Sequence, residues 1–132
     1  GIAMAHPHYH ALSTVKKYKG RVKDYIDIHS WFDESKRVDV GPRHRALRHH
    51  TEGIFQCEEI FGKTIVNFDG KTVPVRAIGE QHVLEDLGRV PSFRDWIQEM
   101  EYCAWMNRAQ PLSQIFQEKD DEPGTDQQSA QD

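Results

Sequence analysis

The chain carries eight histidines among its 132 residues, and imidazole is both the commonest metal ligand and the side chain that titrates nearest neutrality. Position on a helix matters more than the count. At about 100° per residue, three histidines coincide with apolar stripes: His8 with Ala11, Leu12 and Val15, His29 with Val22, Tyr25 and Ile26, and His50 with Leu47, Ile54, Cys57 and Phe61. A buried neutral imidazole needs a partner for each ring nitrogen. Three that converge could share one divalent cation (Zn, Fe, Mn or Ni) and leave a position open for water. Asp33, four residues after His29, and Glu80, aligned with Val83, Leu84 and Leu87, are the acidic candidates for a fourth ligand or a general base. The plainer alternative makes each histidine a separately hydrogen-bonded core residue, Asp33 a cap and Glu80 a partner of a helix N-terminus. No HExxH or CxxC spacing is present.

Arg43 shares the stripe of Leu47 and His50. An inward guanidinium needs an anion, either Asp33 or Glu80 as an ion pair or a substrate phosphate or carboxylate. It belongs to a basic segment, residues 36–50, in which Lys36, Arg37, Arg43, Arg45 and Arg48 face only Asp39. That segment could meet an anionic small molecule or macromolecule. His82 and Asp86 form an i,i+4 pair turned away from Val83 and Leu87, which reads as a rim or supporting pair. His44 and His49 fall off the core stripe and read as exposed or edge residues, His44 being the better placed in the first helical turn.

The elements that must position these groups are mainly helical. The pattern predicts a helix from His6-Pro7 to Lys19, stopped by Gly20, and a second from Val22 to Phe32. The longest helix runs from Gly41-Pro42 to Phe61, and Gly53 inside it implies a close neighbour, another helix or the hairpin. Thr64–Phe68 and Lys71–Arg76 flank Asp69-Gly70 and predict a β-hairpin, with Pro74 confining its strand to an edge. A short helix follows over 79–87. Ser92 caps a last helix that ends at Pro111 and buries Phe93, Trp96, Ile97, Met100 and Ala104. The expected fold is a small helical bundle of about five helices with one hairpin.

Gly1-Ile2-Ala3 ahead of Met4 reads as a tag remnant, 4–116 as one domain, and 117–132 as a disordered acidic tail. The tail accounts for a net charge of −5, so the formal −4 of the whole chain leaves the body at +1. Cys57 and Cys103 lie in helical patterns and read as buried, reduced thiols without nucleophilic use, a disulfide being the alternative. No apolar run is long enough to cross a bilayer, and the cytoplasm is the expected compartment. Tyr102 and Trp105 could suit a homodimer contact.

The segments Ile28-His29-Ser30-Trp31-Phe32-Asp33, Arg43-His44-Arg45-Ala46-Leu47-Arg48-His49-His50 and Gly79-Glu80-Gln81-His82-Val83-Leu84-Glu85-Asp86-Leu87-Gly88 resemble those of a family of uncharacterised small bacterial and phage proteins. The resemblance spans about 6–108. It implies a prokaryotic or phage setting and brings no assigned activity or catalytic residues.

Three functions are compatible with these residues. The first is a metal-dependent hydrolase of a phosphoester or other small anionic substrate, with His8, His29, His50 and Asp33 as ligands, Glu80 as alternative ligand or base, and Arg43 orienting the anion. The second is a non-enzymatic binding module that meets nucleic acid or a protein complex through the basic segment. The third is a polar core of Arg43, His29, His50 and Glu80 that only fixes helix register.

Overall fold

A computed structural model describes residues 6–107. The chain divides into two units, Gly1–Glu99 and Met100–Asp132. In the first, α1 (Pro7–Tyr18) and α2 (Val22–Asp33) are followed by two 3-10 turns, Glu34–Arg37 and Pro42–Leu47. Then come α3 (Thr51–Phe61), the hairpin β1 (Thr64–Val66) and β2 (Thr72–Pro74), α4 (Val75–Leu87) and the short α5 (Phe93–Ile97). In the second unit the described residues include one 3-10 turn, Ala104–Asn107. The boundary at Met100 falls inside the span expected as one domain, and the expected tail lies outside the described residues. No helix among the described residues is long and apolar enough to cross a membrane.

Helical spacing explains which faces meet. Tyr25, Ile28, His29, Phe32 and Asp33 are buried on α2, and Val75, Ile78, Gly79, His82 and Val83 on α4. Both series advance by three and four, as an amphipathic face requires. Apolar members of the two series form the core with Ala11, Ile54, Cys57 and Val73. At Gly79 the helices approach closely: a Cβ there would lie 3.2 Å from Phe32 Cζ. The hairpin pairs Ile65 with Val73 and Thr64 with Pro74. Asn67 anchors its turn, accepting from Asp69 and Lys71 N–H at its side-chain oxygen and donating to Tyr18 C=O and the Tyr25 hydroxyl.

Three expectations change. The long helix over 42–61 is broken: a 3-10 turn ends at Leu47, and His50, with φ −165° and ψ 174°, is extended. Gly53 marks the break, because a Cβ on it would lie 1.9 Å from the Arg48 carbonyl oxygen. Its close neighbour is therefore its own chain, not another element. The helix expected from Gly79 begins at Val75, immediately after the hairpin. The last helix stops at Ile97; its Ser92–Asp95 capping box forms, but Phe93, Ile97 and Met100 stay 37–53% exposed. Apolar spacing extends a helix only where the face finds a packing partner.

Candidate metal centre

Where α1, α2 and α4 meet the segment before α3, six histidine and aspartate side chains gather with almost no access to solvent. His10, His29, His49 and His82 are each at most 1% exposed. The side chains of Asp33 and Asp86 are 7% and 3% exposed. His29 and Asp33 come from α2, His82 and Asp86 from α4, His10 from α1, and His49 from the break before α3. That break is what turns His49 inward. Its backbone is held from two sides, by Trp96 Nε1–H donating to His49 C=O at 3.0 Å and by Thr51 N–H donating to Pro91 C=O at 2.9 Å.

Four ligand atoms converge. His49 Nε2 lies 3.0 Å from Asp86 Oδ2 and 3.7 Å from Asp33 Oδ1. His82 Nε2 lies 3.2 Å from Asp86 Oδ2 and 3.4 Å from Asp33 Oδ1. For ligands about 2.0–2.2 Å from a central ion the edges of a tetrahedron are about 3.3–3.6 Å, so these contacts have the size of a coordination polyhedron. Asp33, His49, His82 and Asp86 could hold a metal ion, as could the overlapping group His10, His29 and His82.

Hydrogen bonding distinguishes the two groups. The Gln81 side-chain nitrogen donates to His10 C=O at 3.0 Å and to the Glu85 carboxylate, so its oxygen faces Thr14. Thr14 has one hydroxyl proton. Two oxygens that can only accept compete for it, that of Gln81 at 2.8 Å and His10 C=O at 3.0 Å. The Thr14 oxygen must then accept from His29 Nε2–H at 2.8 Å. This leaves His29 Nδ1 as an acceptor, served by His82 Nδ1–H at 2.9 Å. His29 is thereby committed on both nitrogens and sets the tautomer of His82 rather than offering a ligand. Burial and the neighbouring His82 and His10 push its pKa down to about 2, which keeps it neutral.

His82 Nε2 consequently points either a lone pair or an additional proton at two carboxylates. It has no hydrogen-bond partner, and neither have Asp33 Oδ2 and His49 Nδ1. Unpaired buried polar atoms are costly, about 1–3 kcal/mol each, and of these three His82 Nε2 is the one that lies among the converging ligand atoms, the other two belonging to the far sides of Asp33 and His49. Burial raises the Asp86 pKa, but His10, His49 and His82 facing it outweigh that and hold it below the usual carboxylate range. Asp33 is likewise held down against burial, by His82 and Lys36. Burial pushes His49 down to about 4. Both carboxylates are held ionised and the His49 imidazole neutral, the state a cation site needs.

A supporting layer surrounds these atoms. His10 Nδ1–H donates to Glu85 Oε1 at 2.6 Å, while its Nε2 stands 3.2 Å from Asp86 Oδ1. Contacts with both carboxylates raise the His10 pKa against the opposing effect of burial. Arg45 Nη2 lies 3.7 Å from the same Asp86 oxygen.

Of the residues singled out from sequence, His29, Asp33, His82 and Asp86 come together here. His8 is exposed and only contributes its backbone N–H to His6. Glu80 and Arg43 are exposed. His50 is buried elsewhere, as the N-cap of α3: its Nδ1 accepts from Gly53 N–H and its Nε2–H donates to Ala46 C=O, both at 3.0 Å. The helix break rotates it away from the stripe an unbroken helix would have given. His44 and His49, expected at the edge, are buried, His44 bonded to Ser35 Oγ at 2.7 Å. His82 and Asp86, expected at the rim, are central, because a helix starting at Val75 has its inner face at 75, 78, 79, 82, 83 and 86. His10 was missed because the buried face of α1 is His10, Ala11 and Thr14, two of them polar. Cys103 is exposed, not buried, whereas Cys57 is fully buried.

Residues 5–106 match the family described as a domain of unknown function (DUF6915), and the chain belongs to it. No curated protein and no solved structure matches the chain.

Proposed function

We propose that Asp33, His49, His82 and Asp86 bind one divalent cation, and that this centre hydrolyses a phosphoester or other small anionic substrate. One observation carries the reading: the bonding of Thr14 and His29 leaves His82 Nε2 facing two ionised carboxylates with no hydrogen-bond partner. Positive charge is required at that point. His82 Nε2 lies 3.2 Å from Asp86 Oδ2 and 3.4 Å from Asp33 Oδ1 without an aligned hydrogen bond to either, and a metal ion would join all four donor atoms at once.

Two imidazoles and two carboxylates form a borderline donor set, suited to Zn, Fe, Mn or Ni. A cation held there supplies Lewis acidity to water and to a phosphoryl oxygen. The chain's own atoms have the remaining tasks. Water would add at phosphorus as its proton passes to Asp33 Oδ2; the ester P–O bond breaks, and the departing alkoxide would take up that proton and leave as the alcohol. His29 and Thr14 keep His82 in the tautomer that offers Nε2.

The test is elemental analysis of protein purified without chelators or a histidine tag. About one equivalent of Zn, Fe, Mn or Ni per chain is expected, falling below about a tenth in His82→Gln and Asp86→Asn. Wild-type protein at that low level overturns the reading.

The exposure of Arg37 and Arg43 favours a second reading. In it the chain is a non-enzymatic module for an anionic macromolecule, and the His/Asp cluster only fixes register. Salt-sensitive retention on a nucleic-acid column, with metal absent, selects it.

A further inference from the structure

Two arginines of the basic segment are used differently. Arg48 is engaged within the fold: its Nη1–H donates to Glu34 Oε1 at 2.8 Å and to Trp31 C=O, and its guanidinium lies 4.2 Å from the Trp31 ring centre. Arg45, on the 3-10 turn Pro42–Leu47, is not. Its nearest carboxylate contact, Nη2 to Asp86 Oδ1, is 3.7 Å, beyond hydrogen-bond length, and its Nε–H is buried without a partner. A guanidinium that serves only to neutralise a carboxylate closes a two-pronged fork on it. Arg45 stands beside a candidate metal ligand without closing one.

The charge of the site points the same way. Asp33 and Asp86 offset a dication, so the Arg45 charge is left over for an incoming anion. The Arg45 side chain is 16% exposed, against 0% for His49 and His82, with the exposure on its other atoms and Nε–H itself buried at the side of the cluster. The unused Nε–H beside Nη2–H is the guanidinium edge that meets two oxygens of one phosphoryl group in parallel.

We infer that Arg45 is the oxyanion clamp of this centre and that the ligand it takes is a phosphate group. It would bind two non-bridging oxygens of a phosphate beside the cation that Asp33, His49, His82 and Asp86 would hold. The assignment rests on the metal reading above and replaces Arg43, whose side chain is exposed, as the anion-orienting residue.

The experiment is calorimetric titration of inorganic phosphate into the full chain, Mn-loaded and metal-free, for wild type, Arg45→Gln, Arg45→Lys and Arg43→Gln. Metal content and thermal unfolding are measured on each. The Mn-loaded wild type is expected to bind phosphate. Arg45→Gln weakens binding about tenfold or more with metal content unchanged, Arg45→Lys recovers part of the loss, and Arg43→Gln changes it less than about twofold. Equal phosphate affinity in wild type and Arg45→Gln, equal losses in Arg45→Gln and Arg43→Gln, or no binding by metal-loaded wild type each overturns the clamp. If no Mn binds but phosphate binds through Arg45, the metal reading fails and Arg45 is an anion site without a cation beside it, which overturns the clamp as part of a metal centre. If neither binds, both fail.

Discussion

His49 and His50 are neighbours in sequence, both buried, and opposite in what their rings do. His50 has each nitrogen bonded, one to Gly53 N–H and one to Ala46 C=O, both within its own chain segment. His49 reaches 37 residues along the chain to Asp86 and leaves Nδ1 without a partner. The same contrast separates His29, satisfied on both sides by Thr14 and His82, from His82, whose Nε2 has no partner. A buried histidine is thus not evidence of a site by its burial. A satisfied one builds structure, and an unsatisfied one facing carboxylates has capacity for a cation.

The largest way to break this contrast is to remove the turn that separates the two residues. Gly53→Ala puts a methyl group into the Arg48 carbonyl, 1.9 Å away without relaxation. It should cost about 2–3 kcal/mol in denaturant unfolding, typical of an overpacked site, and should displace His49 enough to lower metal content. Retention of full stability would mean that the break between Leu47 and Thr51 is not forced by this contact.

Next in size is Thr14→Val, which deletes the partner of His29 Nε2 and so releases the tautomer of His82 without touching any ligand. Loss of such a supporting contact is worth about 10–100-fold in metal affinity. Competition with a chromogenic chelator measures it, and unchanged affinity would remove the hydrogen-bond chain from the account.

His50→Ala should cost about 1 kcal/mol of stability through the lost N-cap, with His50→Asn recovering most of it and metal content constant in both. Metal loss in either variant would erase the distinction between the two neighbours.

The smallest effect concerns the cysteines. Burial pushes the Cys57 thiol up to about 12, while Cys103 is exposed. At pH 8 a thiol reagent should modify Cys103 in the folded protein and Cys57 only after unfolding. Prompt modification of both would show that the α3 face opens readily.

The helix-rich architecture with one hairpin was legible in the sequence because α1, α2 and the Asp69-Gly70 turn carry local signals: Pro7 at a helix start, Gly20 after a helix end, Gly70 with φ +80°. The candidate site was legible only in part. Asp33 and His29 follow from the unbroken periodicity of α2. Asp86 and His82 required the true start of α4, which the sequence obscures by running the β-branched hairpin strand directly into the helix. His49 depended on a break whose cause, the approach of Gly53 to Arg48, is a backbone contact rather than a pattern of side chains. His10 and Thr14 formed a polar buried face, which an apolar stripe cannot reveal. Arg45 was visible only as one of five cations, since its unused donors appear once its neighbours are placed.

Crystals of the metal-loaded chain, with diffraction recorded on both sides of the metal absorption edge, test the centre most directly. A single anomalous peak about 2.0–2.2 Å from Asp33 Oδ1, His49 Nε2, His82 Nε2 and Asp86 Oδ2 is the expected result. A map without a peak there, or with the ion on other residues, would contradict it.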